Sequence, residues 1–159
     1  MAEFKVGKIP LAIIAAAVLL VIFFLLAQDS HPGKEQITII NSAGQPIHIY
    51  VEIADEWPEM KKRLMHREHL PEDEGMLFIF PQSGVYPFWM KNTLIPLDAI
   101  HISQDGTIVD ILQMEPCTAD PCPSYPPAAE ALYILEVNKG FSERHGIEKG
   151  NRMLLPAPH

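Results

Sequence analysis

Pro96-Leu97-Asp98-Ala99-Ile100-His101-Ile102-Ser103-Gln104-Asp105-Gly106-Thr107-Ile108-Val109-Asp110-Ile111-Leu112-Gln113-Met114-Glu115 decides the fold. Two β-branched runs, Leu97–Ser103 and Thr107–Glu115, flank Gln104-Asp105-Gly106, whose Asp-Gly pair supplies the backbone freedom of a tight hairpin turn. Working outward, Met76–Phe80, Val85–Lys91, Ala131–Asn138 and Arg152–Leu155 read as further short strands. Nearer the amino terminus, Gln36–Asn41 is β-branched, and Ile47, Ile49, Val51 and Ile53 alternate with His48, Tyr50 and Glu52, the period of a half-buried strand. Ser42-Ala43-Gly44-Gln45 joins these two as a second hairpin. The one helical pattern follows Asp55, a capping residue, with Trp57, Met60, Leu64 and Met65 at helical spacing and an end by Leu70, before Pro71. Eight short strands and one main helix predict an α+β domain, predominantly antiparallel β, built as a small partly closed barrel. Most of the 15 prolines fall between these segments. Pro87 falls inside one and demotes that strand to an edge or a bulge, because proline cannot donate to a ladder.

The 159 residues suit a single globular domain. A hydrophobic fraction of 48% is high beside 20% charged residues, and the excess lies at the start: Ile9–Ala27 carries no charge. That run is long enough to cross most of a ~30 Å hydrocarbon core as one transmembrane helix. Lys5 and Lys8 precede it and Gln28-Asp29 follow it, so the positive-inside bias places the amino terminus in the cytoplasm and the domain outside. A cleaved signal peptide is the alternative; its apolar region is shorter, and Leu25-Leu26-Ala27 is a poor cleavage site. The expected organisation is a cytoplasmic tail over 1–8, an anchor over 9–27, a linker over 28–35 and a globular extracytoplasmic domain over 36–159. The expected location is single-pass in the inner or cytoplasmic membrane. The net charge of −8 at pH 7, with no cation cluster beyond Lys61-Lys62-Arg63, excludes nucleic acid as the natural partner. Beyond Ala27 there are 10 Lys and Arg against 19 Asp and Glu. Such a surface is repelled by anionic headgroups, which leaves the tether as the expected source of membrane association.

Cys117 and Cys122 sit in a proline-rich loop. In an oxidising compartment two nearby cysteines pair, and zinc would need further ligands that have no finger-like spacing here. A C-x4-C spacing with no evident helix at either cysteine also argues against a thioredoxin-like redox pair, leaving a structural disulfide.

On the strand from Pro96, Asp98 shares a face with Ile100 and Ile102, while Leu97, Ala99 and His101 face the other way. A carboxylate on an apolar face must find a cation or several backbone donors. Lys91 and Arg67 are the nearest cations, and parity prevents an acid-base pair of Asp98 with His101. Asn92 and Thr93 suit a turn through side chain to backbone bonds. Trp89 shares parity with Lys91 and could stack over a ligand. These residues define a candidate polar cleft of Arg67, Trp89, Lys91, Asn92 and Asp98, serving a small ligand or an envelope protein segment. A hydrolase using Asp98 and Lys91 is the enzymatic alternative. Met65, Met76 and Met90, with His66, are weak candidates for Cu(I), since methionines more often fill cores. No cofactor is expected.

Met65-His66-Arg67, Gly75-Met76-Leu77-Phe78, Phe88-Trp89-Met90-Lys91-Asn92-Thr93, Pro96-Leu97-Asp98, the loop from the cysteines to Tyr125, and Leu135-Glu136-Val137-Asn138-Lys139-Gly140-Phe141 form a signature. Through it the chain resembles the uncharacterised bacterial and archaeal family called domain of unknown function 192, over Gln36–Leu155. Arg63 departs from the pattern, standing where that family commonly has glycine. The resemblance implies a compact β-rich fold, often behind a signal or anchor, and no established activity.

Overall fold

The computed structural model describes residues 31–62, 64–118 and 120–154. The expected anchor over 9–27 lies outside them, and no described helix is long and apolar enough to cross a membrane. The elements are β1 (Glu35–Ile40), β2 (Pro46–Ala54), α1 (Trp57–Lys62), β3 (Glu74–Gly84), β4 (Phe88–Trp89), β5 (Leu97–Ile102), β6 (Ile108–Met114), β7 (Ser124–Tyr125), β8 (Ala131–Asn138), α2 (Phe141–Arg144) and β9 (Arg152–Leu154). Seven strands form one sheet in the order β6-β5-β8-β3-β2-β1-β9, and β4 with β7 forms a separate two-stranded ribbon. Pairing is antiparallel except between β2 and β3, which run parallel. A parallel neighbour needs a long crossover, and the chain through α1 supplies it.

The sheet curls until its edges meet at one corner. Thr107, just before β6, bridges to Arg152 at the start of β9. Around that bridge, the Ile108 amide donates to the Asn151 carbonyl, the Gly150 amide to the Ile108 carbonyl and the Met153 amide to the Gly106 carbonyl, each at 2.8 Å. The partly closed barrel predicted from strand spacing is therefore present. Gly106 makes the predicted hairpin turn, with φ of 87° and its amide donating to the Ser103 carbonyl; an L side chain rarely adopts that conformation.

Two hydrophobic cores lie on opposite faces of this one sheet. The inner core draws residues from all seven strands, including Ile37, Ile49, Leu77, Ile100, Ile108, Leu135 and Met153, and is plugged by Phe141 of α2 and by Ile147. The outer core lies under the connecting segments: Met60 and Leu64 from the α1 region, and Phe88, Met90 and Ile95 from the β4 region, cover Met76, Phe78, Leu97, Ala99 and Ile134 of the sheet. Every residue of β5 is consequently buried. Residues 33–159 form a compact unit of their own. Among the described residues both cores and the closing strand lie within this unit, which has the makings of an independently folding domain.

The chain departs from the expected elements at three places. The helix stops at Lys62, well short of Leu70. His66 takes a left-handed conformation, φ 62°, and gives its amide hydrogen to the Asn92 carbonyl at 2.8 Å, which continues no helix. The strand expected over Val85–Lys91 shrinks to Phe88–Trp89, paired only with β7, since Pro87 has no donor and Asn92 is left-handed as well. β7 and α2, each too short for a periodic signal, went unpredicted.

Candidate functional site

The outer layer holds the most exposed aromatics. Trp57 is 73% exposed and Trp89 44%, and together they flank a cleft of about 290 Å³ whose floor is Met60, Phe78 and Phe80, with Lys61 beside it. The strand period sets that floor: Met76, Phe78 and Phe80 face outward while Leu77 faces the barrel interior. An edge-to-face contact of Phe88 on Phe78, centroids 5.4 Å apart, fixes β4 against the sheet. Phe88 faces in, so the next residue, Trp89, faces out. The Lys91 Nζ lies 5.8 Å from the Trp89 ring centroid, within cation-π range. A larger depression of about 570 Å³ lies at the barrel seam. Its polar groups are spent on the seam itself: Asn41 Oδ1 accepts the Ala43 and Gln45 amides, Asn151 bonds Ser42, and Arg152 donates to the Asp105 carbonyl. The tryptophan cleft is the better candidate.

The expected site residues divide between the two faces. Arg67 forms a two-pronged pair with Glu52, at 2.7 and 2.5 Å. That bond, more than any other influence, holds the Glu52 carboxyl below its ordinary value and the Arg67 guanidinium above its own. Asn92 is brought beside Arg67 through the bond from His66. Two contacting non-glycine residues with positive φ mark a junction held by its surroundings. Trp89 and Lys91 belong to the same outer layer. Asp98 does not: it is fully buried on the inner face, and its carboxylate accepts the Gly140 and Ser142 amides, each at 3.0 Å. Its partners are thus backbone donors at the start of α2, and neither Lys91 nor Arg67. Lys91 is exposed, so a hydrolase built on Asp98 with Lys91 has no converging pair. Met76 and Met90 are packed in the outer core and Met65 is half-buried. Among the described residues no three His, Cys, Asp or Glu side chains converge as a metal site.

His101 behaves as parity requires, facing the outer core opposite Asp98. It is fully buried, edge-on to Phe88 with centroids 6.1 Å apart, and neither ring nitrogen makes a hydrogen bond of ordinary geometry. Burial pushes the imidazole below its ordinary value, against the opposing pull of the Ala99 carbonyl and the Asp110 carboxylate. Asp110 accepts the Ala128 amide and pairs with Lys149. Cys117 and Cys122 form the expected disulfide, in the loop between β6 and β7. Trp57, expected at helical spacing with Met60 and Leu64, is a rim residue of this cleft. Helical spacing alone puts Trp57 on the face of Met60, and the shortness of α1, six residues, is what leaves Trp57 at its start exposed.

Residues 38–155 match the family model DUF192, described as an uncharacterized ACR. No curated protein matches the chain. Among solved structures, a Sinorhizobium meliloti 1021 protein proposed as a transcription regulator is similar at 33% identity and a TM-score of 0.69, over 76% of this chain and 92% of that one. A protein of unknown function from Novosphingobium aromaticivorans DSM 12444 is similar at 31% identity and a TM-score of 0.68, over 79% and 90% of the two chains.

Proposed function

Because the chain belongs to the domain of unknown function 192 family, whose membership brings no activity with it, we propose a function from the outer face: a non-enzymatic binding module. It takes the apolar part of a small ligand or protein segment between Trp57 and Trp89. The observation that carries this reading is that the chain has two tryptophans and both line one apolar cleft. Large aromatic side chains are costly to leave in water and are the commonest anchors of recognition surfaces. We further propose that the module works outside the cytoplasm, held at the membrane by residues 9–27. Two features support that location: the uncharged run itself, and a disulfide of the kind that persists in oxidising compartments. The acidic balance of the chain speaks against carrying over the regulatory role proposed for the Sinorhizobium meliloti protein.

The two tryptophans make the test direct, because all indole emission comes from this cleft. A thermal-shift screen of small molecules and short peptides is expected to yield a ligand that raises the melting temperature and changes tryptophan emission. Both effects should disappear in Trp57→Ala and in Trp89→Ala. A ligand that stabilises both variants as much as the parent binds elsewhere, and the reading falls.

A further inference from the structure

We infer that the ligand of the tryptophan cleft is an anionic amphiphile: an apolar chain or ring lies between Trp57 and Trp89, and its acidic group is held at the rim by Lys61 and Lys91. This rests on the cleft being the binding site, and it is drawn from where the cations lie. Among the described residues, Lys34, Arg67, Lys139, Arg144 and Lys149 pair with Glu74, Glu52, Glu115, Glu72 and Asp110. Arg152 donates to the Asp105 carbonyl. Lys61, Lys62 and Lys91 alone among the described Lys and Arg side chains engage no carboxylate or carbonyl, and all three are exposed. Lys61 lines the cleft, and Lys91 stands over the ring of Trp89.

Exposed Glu56 immediately precedes Trp57, and the other carboxylates near α1 line neighbouring depressions. Glu59 lies on the side shared with Lys62 and Arg67, and Asp55 lies in the adjoining hollow beside Pro81, which shares Trp57, Met60 and Phe80 with the cleft. The cleft between the tryptophans is lined by no acid. A surface that is acidic as a whole therefore presents two lysines without a carboxylate partner beside its most exposed aromatic residues. Over distances beyond about 8 to 10 Å the surrounding negative charge is screened at physiological salt, whereas a lysine at contact still acts. The lysine stems add apolar cover beside the rings while the ammonium groups remain in water, available to an acidic head. A cavity of about 290 Å³ stands at the lower end of ligand-pocket sizes, which suits one short chain or ring.

Three probes of equal chain length separate charge from apolarity: octanoate, octan-1-ol and octylammonium, titrated into residues 33–159 by tryptophan emission. Octanoate is expected to bind roughly fivefold to tenfold more tightly than octan-1-ol, with octylammonium weakest. That preference should vanish in Lys61→Gln/Lys91→Gln and fade at high salt, while Trp57→Ala weakens all three. If octan-1-ol equals octanoate and both depend on Trp57, the charge inference is overturned and the binding cleft stands. If none of the three alters tryptophan emission, both readings fall. If octanoate fails to bind but phosphatidylglycerol vesicles sediment the domain through Lys61 and Lys91, the occupant is a bilayer surface and the inference is overturned.

Discussion

The carboxylate of Asp98 holds two backbone amides at the entrance to α2, so Asp98→Ala leaves one buried and one half-buried donor without that acceptor. The expected cost is ~2–4 kcal/mol, seen as a fall in melting temperature of roughly 10 °C for a domain of this size. Lys91→Ala, measured beside it, should move the melting temperature little, because Lys91 takes no part in that arrangement. A large effect of both would restore the ion pair that the structure replaces. His101 gives a prediction of opposite character. Its folded form resists protonation, so below the ordinary value of 6.5 the unfolded chain binds more protons than the folded one. Stability should be level above about pH 6.5 and fall as the pH drops through that value. Melting curves between pH 7 and pH 5 check it: His101→Phe should flatten the fall, and an unchanged slope would remove His101 as its cause. At this scale the strand period was enough to place Asp98 and His101 on opposite faces. It could not name the partner of Asp98, because Gly140 and Ser142 lie more than forty residues away and reach it only through the pairing of β5 with β8.

Elements with a repeating pattern were legible, and those set by a single turn were not. β1, β2, β5, β6, β8 and β9 appear within a residue or two of their expected limits; in the first five of these, a run of six or more residues leaves one register that buries the apolar face. α1 stops at Lys62, and the helical path cannot resume through His66, which is left-handed and bound to a loop some twenty-five residues later, information absent from its own neighbourhood. Gly75 has a role of the same kind. A Cβ there would meet the Glu136 carbonyl oxygen at 2.6 Å, so β3 and β8 approach closely only because that position is glycine. The disulfide closes a small loop before β7, and the chain-entropy model assigns such a loop about 2 kcal/mol. Cys117→Ser/Cys122→Ser should therefore lower the unfolding free energy in urea by about that amount and leave the circular dichroism of the fold intact. Loss of the fold in this variant would mean that the loop does more than restrain the ribbon of β4 and β7.

Over the whole molecule, closure by β9 is what makes an interior. Met153 is buried in the inner core, and β9 covers the edge of β1. A chain ending at Gly150 should lose about 3–5 kcal/mol, combining the lost burial of Met153 with an opened seam; urea unfolding of the two lengths measures it, and equal midpoints would show that the barrel does not need its last strand. The two faces also redistribute the candidate site. Of Arg67, Trp89, Lys91, Asn92 and Asp98, the first four belong to the outer layer, and Asp98 belongs to the inner one. The sequence by itself determined the strand-rich class, the two hairpins, the barrel, the disulfide and the family resemblance. Each depends on residues close together or on a short period, where local sterics and burial leave few choices. Only the tertiary structure decided the parallel pairing of β2 and β3, the backbone partners of Asp98, and the meeting of Trp57 with Trp89. It likewise decided that, among the described residues, Lys61, Lys62 and Lys91 are left without a carboxylate partner. These depend on which distant segments share a face and on which carboxylates have already been taken by other cations, and a net charge averages both away.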